Sequence, residues 1–151
     1  MRHTAAALRW IAAVLLVVAV GGCSDSTEPT NGHATPDGLT ISANAQTLVT
    51  VDGQAVTGQI DVAAAAETAH LTVTFVDQDG DPIQLSTDYY LEVESANETV
   101  AEFSQDTPGE FGGHVEGIAA GQTTMAFKLM HGQVGSGHPD YVSPAVPVQV
   151  N

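Results

Sequence analysis

From Leu39 onward the chain is a succession of short β-prone runs separated by turn residues. The clearest is His70–Val76, in which Leu71, Val73 and Phe75 fall on one face and His70, Thr72 and Thr74 on the other. Turn chemistry follows in Asp77-Gln-Asp-Gly-Asp-Pro82. A second run, Tyr89–Glu94, sets Tyr89, Leu91 and Val93 against Tyr90, Glu92 and Glu94, the pattern of a half-buried strand. The same texture predicts strands over 39–41, 46–51, 59–62, 100–103, 111–118, 123–130 and 142–150. Pro144 and Pro147 mark the last as irregular or at an edge, because proline cannot donate to a ladder. Val62–Glu67 is helix-like but too short to stand alone, and reads as a loop or single turn. About seven short strands over residues 39–151 predict one all-β domain, an immunoglobulin-like β-sandwich.

The first 38 residues have a different texture. Arg2 and Arg9 precede an apolar run, Ile11–Val20, which small residues follow, the layout of a secretory signal peptide over residues 1–22. That run is shorter than the roughly 20 residues of a comfortable membrane span. Val20-Gly21-Gly22-Cys23 resembles the lipobox of bacterial lipoproteins. The resemblance implies cleavage before Cys23, a diacylglyceryl group on its thiol, and a membrane as partner through that lipid. Cys23 is the sole cysteine, so no intramolecular disulfide is possible, and lipidation accounts for a single cysteine in an exported chain. Ser24 follows where an aspartate would resemble an inner-membrane retention signal. The lipobox therefore implies the outer membrane of a Gram-negative-type envelope. Residues 24–38, rich in Pro, Gly, Ser and Thr, read as a flexible tether after the lipidated cysteine.

Cleavage would remove both arginines and leave Lys128 against 18 acidic residues, a charge of about −17 with histidines neutral. Such a surface repels nucleic acid and anionic headgroups and attracts cations or basic partners. Solubility, or adaptation to salt, accounts for it better than a specific electrostatic role.

A second resemblance rests on turn motifs. Val76-Asp-Gln-Asp-Gly-Asp-Pro-Ile83, Val-Glu-Ser at 93–95, Val-Ala-Glu at 100–102 and Gly117-Ile-Ala-Ala-Gly-Gln-Thr-Thr124 look like bacterial immunoglobulin-like domains of group 2, the invasin and intimin type. The likeness spans residues 39–151 and implies a binding or spacing module at the cell envelope, with an envelope protein as partner. A single copy departs from the long repeat arrays of adhesins.

Candidate chemistry lies in the loops. Asp77, Asp79 and Asp81 have the alternate spacing of a calcium loop, but no helices flank them and Pro82 interrupts it. Turn preferences alone account for these residues. In the immunoglobulin scheme the loops near 77–87, 104–110 and 131–141 gather at one end. His131 and His138 would flank the last loop with Asp140 beside them, and His114 would lie just inside its strand. His70 belongs near the opposite end and His33 in the tether. His114, His131, His138 and Asp140, with Met130 nearby, are thus a candidate site for copper or zinc, although His-x6-His is not a recognised metal motif. Catalytic arrangements are missing from the sequence. It has no Gly-x-Ser-x-Gly elbow, no His-Glu-x-x-His and no phosphate loop. Ser136, His138 and Asp140 crowd a glycine-rich loop ill-suited to hold a triad. The reading is a non-enzymatic, lipid-anchored envelope protein, with an envelope copper- or zinc-binding protein as the alternative.

Overall fold

The computed structural model describes residues 33–151. The signal peptide, the lipobox with Cys23, and tether residues 24–32 lie outside the described residues. The alternation of the first run is realised as strand β6 (Leu71–Val76), with Leu71, Val73 and Phe75 buried. The second run forms β7 (Tyr89–Ser95), where Tyr89 and Leu91 are buried but so is Tyr90, expected on the polar face.

Two sheets carry the described residues. The first has the order β3 (Ala55–Gly58), β2 (Gln46–Asp52), β1 (Gly38–Ala43), β6, β9 (Gly112–Gly117), with β5 (Ala66–Glu67) and β8 (Ala101–Ser104) both pairing β9. The second is built on β10 (Gly121–His131), which has β7 along one side. On its other side lie β12 (Val146–Val150) and then β11 (His138–Val142). β4 (Ile60–Val62) runs parallel to β12. With β6 to β10 in the roles of strands B to F, and β11 and β12 together in that of G, this is the immunoglobulin-like sandwich that the run spacing predicts.

The sheets meet through the stripes that alternation places inside. Met125, Phe127 and Leu129 of β10 face Ile41, Val73 and Val115 in one buried cluster. Edge-on ring pairs cross the interface: Phe103 with Phe127 at 5.9 Å and Phe75 with Tyr141 at 5.8 Å between centroids.

Several local features bear on the sequence reading, among them the short strand β5 inside the stretch read as a loop or single turn. β3 was not predicted because its side chains are largely exposed and show no alternation. The last strand is two, β11 and β12, separated at Ser143-Pro144-Ala145. At that break the Ser143 hydroxyl accepts the Phe127 N–H at 3.0 Å, standing in for a missing backbone acceptor. Pro147 is tolerated because the parallel pairing with β4 starts only at Val148. Finally, the segment expected to end the tether packs on the domain: Ala34 is only 4% exposed, and the Asp37 N–H bonds the Val76 carbonyl.

Phe127 is fully buried at the centre of this core. Phe127→Ala should cost about 3–5 kcal/mol of stability in urea denaturation; a loss below ~1 kcal/mol would contradict this packing.

Candidate metal centre

The core-facing alternation of β10 runs Met125, Phe127, Leu129 and ends at His131. His131 therefore caps the interior at one end of the sandwich, and Met130 faces the other side of the sheet. The expected help of a Met130 thioether is thus removed by strand geometry. On one side of His131 its register partner is Tyr89 of β7, and the two rings stack 4.7 Å apart. On the other side its partner is His138 of β11, with ring centroids 5.4 Å apart. Pairing then shifts between Leu129 and Met130, so Asp140 is the extra residue of a β-bulge. Although the bulge interrupts the alternation there, the Asp140 side chain lies with those of His138 and His131.

His33 completes the group from just ahead of β1. Its Nδ1 lies 3.0 and 3.1 Å from the two Asp140 oxygens, and its ring centroid lies 5.0 Å from that of His131. His138 Nε2 is 3.2 Å from Asp140 Oδ1. His131 Nδ1 is 3.9 Å from Asp140 Oδ2, too far for a hydrogen bond. That nitrogen is buried and has no hydrogen-bond partner among the described residues. The Asp140 side chain is only 7% exposed. A carboxylate so enclosed demands compensation, and it finds three imidazoles and the Tyr89 hydroxyl, which donates to Oδ2 at 3.2 Å. One ligand atom from each of His33, His131, His138 and Asp140 lies within 4.8 Å of the others. Ligands around a tetrahedral zinc ion stand about 3.3 Å apart, so small rotations would close the set.

The supports are as specific as the ligands. The Tyr89 hydroxyl accepts the Ala34 N–H at 2.6 Å while donating to Asp140, tying the segment that carries His33 to the carboxylate. The glycines of the 132–137 loop serve close approach: a Cβ on Gly137 would stand 2.5 Å from the His131 carbonyl oxygen. The Gly137 N–H bonds the Tyr90 hydroxyl, and the Gly132 N–H bonds the Asp88 carbonyl.

His114 does not join this group. It lies on β9, and the pairing of Leu71 with Gly113 sets it across from His70, with ring centroids 5.3 Å apart. The expectation that His114 accompanies His131 and His138 is corrected by register: strand pairing, which the sequence does not display, places it beside His70. His33, read as tether, takes its place. The calcium reading of Asp77, Asp79 and Asp81 finds a different use for these residues. Asp77 Oδ1 accepts the N–H groups of Asp79 and Asp81, each at 3.0 Å, and so holds its own turn.

No protein-family model matches the chain, and no curated protein matches it. Among solved structures it is similar to the S-layer protein SbsC domains 4 and 5, at 22% identity and a TM-score of 0.43. The match covers 77% of this chain and 53% of that one, so the chain spans about half the length of that structure.

Burial raises the Tyr89 pKa above its ordinary 10.0; the Ala34 N–H opposes the rise and the Asp140 charge adds to it. Tyr141 is raised too, by burial and then Asp37. A raised phenol gives stability that is present below pH 10 and lost as pH climbs through the folded-state value. Tyr89→Phe should cost about 1–3 kcal/mol by stranding the Ala34 N–H. It should also show a smaller alkaline loss than wild type when denaturation midpoints are followed above pH 10.

Proposed function

We propose that this chain is a lipid-anchored protein of the bacterial envelope whose immunoglobulin-like domain binds a zinc or copper ion through His33, His131, His138 and Asp140. The observation that carries this reading is the convergence of three imidazoles, from three separate segments, on one enclosed carboxylate. Imidazole and carboxylate suit both metals. Tyr89 and the Ala34 backbone hold Asp140 and the His33 segment in the manner of outer-shell support. Four protein ligands would fill a tetrahedral shell, the property of a storage or structural site rather than a catalytic one, which keeps a position open. Binding without catalysis follows from that closure. The anchor rests on the Val20-Gly21-Gly22-Cys23 motif and the signal-like run before it.

Titration of the full chain in detergent with Zn2+, and separately with Cu2+, tests the site. His131→Ala and His138→Ala should each weaken binding by more than the roughly tenfold that loss of a mere supporting group costs. Unchanged binding heats in His131→Ala would sink the assignment. The anchor has its own test: Cys23→Ser should abolish incorporation of labelled fatty acid and leave uncleaved precursor, and labelled protein in that variant would refute it.

A further inference from the structure

We infer a second, separate divalent-cation site formed by His70, Asp106 and Glu110, with His114 as a fourth donor. Its parts come from His70 immediately ahead of β6, from His114 on β9 and from the 105–111 loop. His70 Nε2 lies 3.9 Å from Asp106 Oδ2 and 4.0 Å from Glu110 Oε1. His114 Nε2 lies 3.6 Å from the same Asp106 oxygen. One ligand atom from each of His70, Asp106 and Glu110 falls within 4.8 Å of the other two.

The His114 imidazole and the Glu110 carboxylate are each held by backbone groups. The His114 Nδ1 donates to the Thr68 carbonyl at 2.9 Å. A carbonyl can only accept, so the neutral ring carries its proton on Nδ1 and turns a free lone pair on Nε2 toward Asp106. That is the arrangement by which metal-ligating histidines are oriented. Glu110 Oε1 accepts the N–H groups of Asp106 and Thr107 at 2.7 and 3.1 Å, which holds the Glu110 carboxylate against the tight loop that carries Asp106. Gln105 ties that loop down, donating to the Glu110 carbonyl at 2.7 Å and accepting the Gly109 N–H at 3.2 Å. Gly112 leaves room for the His70 ring: a Cβ there would stand 2.5 Å from its Cε1.

Two carboxylates and two imidazoles carry a formal charge of −2 when the rings are neutral, which a divalent ion would cancel. Mixed nitrogen and oxygen donors suit a first-row divalent ion such as zinc. This site shares no residue with the one at His131, so either can exist without the other.

The test uses Zn2+ alone on the full chain carrying His131→Ala and His138→Ala together, which disables the first site. That variant should still bind one equivalent of Zn2+, and the ring signals of His70 and His114 should shift in its NMR spectrum while that of His33 does not. Adding the exposed-side-chain change Asp106→Asn, or His70→Gln, should abolish both the binding and the shifts. The double variant failing to bind Zn2+, or binding it with His70 and His114 unmoved, would overturn the second site. Loss of Zn2+ from wild type on Asp106→Asn alone, with His131→Ala silent, would instead keep the second site and remove the first.

Discussion

The pairing of β10 with strands on both sides is the constraint on which the rest of this molecule depends. Its inward stripe of Met125, Phe127 and Leu129 supplies the middle of the core, and the same period places His131 at the end of that stripe. Because β7 pairs one side and β11 the other, the rung through His131 contains Tyr89 and His138. A core-forming register and a site-forming register are therefore the same register. A slip by one residue would turn Met125, Phe127 and Leu129 outward and break up the imidazole group at once. The energy that fixes the site is hydrophobic burial along the strand, and none of it has to come from the site.

Much of the fold could be read from period and turns. The alternation at 71–75 lies where the two sheets contribute buried rows, so the solvent contrast that the sequence shows there is real. At 89–93 it is blurred, because Tyr90 is buried beside Tyr89 and Leu91. β3 was not legible because an exposed edge hairpin has no such contrast, and β11 was not because His138, Pro139 and Asp140 look like loop. The site was half legible. His131, His138 and Asp140 lie within ten residues and meet through a hairpin, which local spacing can foresee. His33 and His114 depend on pairings between distant segments. The β6–β9 register puts His114 with His70, and the docking of Ala34 on Tyr89 and of Asp37 on Val76 draws His33 in. The one available signal for His33 was a histidine a few residues ahead of the first strand, in a composition that otherwise reads as linker.

Electrostatics gives the two clusters a common cause. After Arg9 the chain has one lysine or arginine, Lys128, and it is engaged outside both clusters, 3.0 Å from Glu92 and 2.8 Å from Glu94. Those carboxylates hold its pKa above the ordinary value, Glu94 foremost. Among the described residues, the enclosed Asp140 and the loop carboxylates Asp106 and Glu110 therefore have no lysine or arginine to answer them. Imidazoles are the groups left in this chain that can do so, and five of its six histidines lie in the described residues, all of them in the two clusters. An imidazole balances a carboxylate by charge only when protonated, and in its neutral form it offers a lone pair instead. A divalent ion supplies the missing positive charge while leaving the rings neutral and using their lone pairs. In a chain with so large an acidic excess, the scarcity of fixed positive charge is itself an argument for cations at the two places where histidines and carboxylates have been brought together.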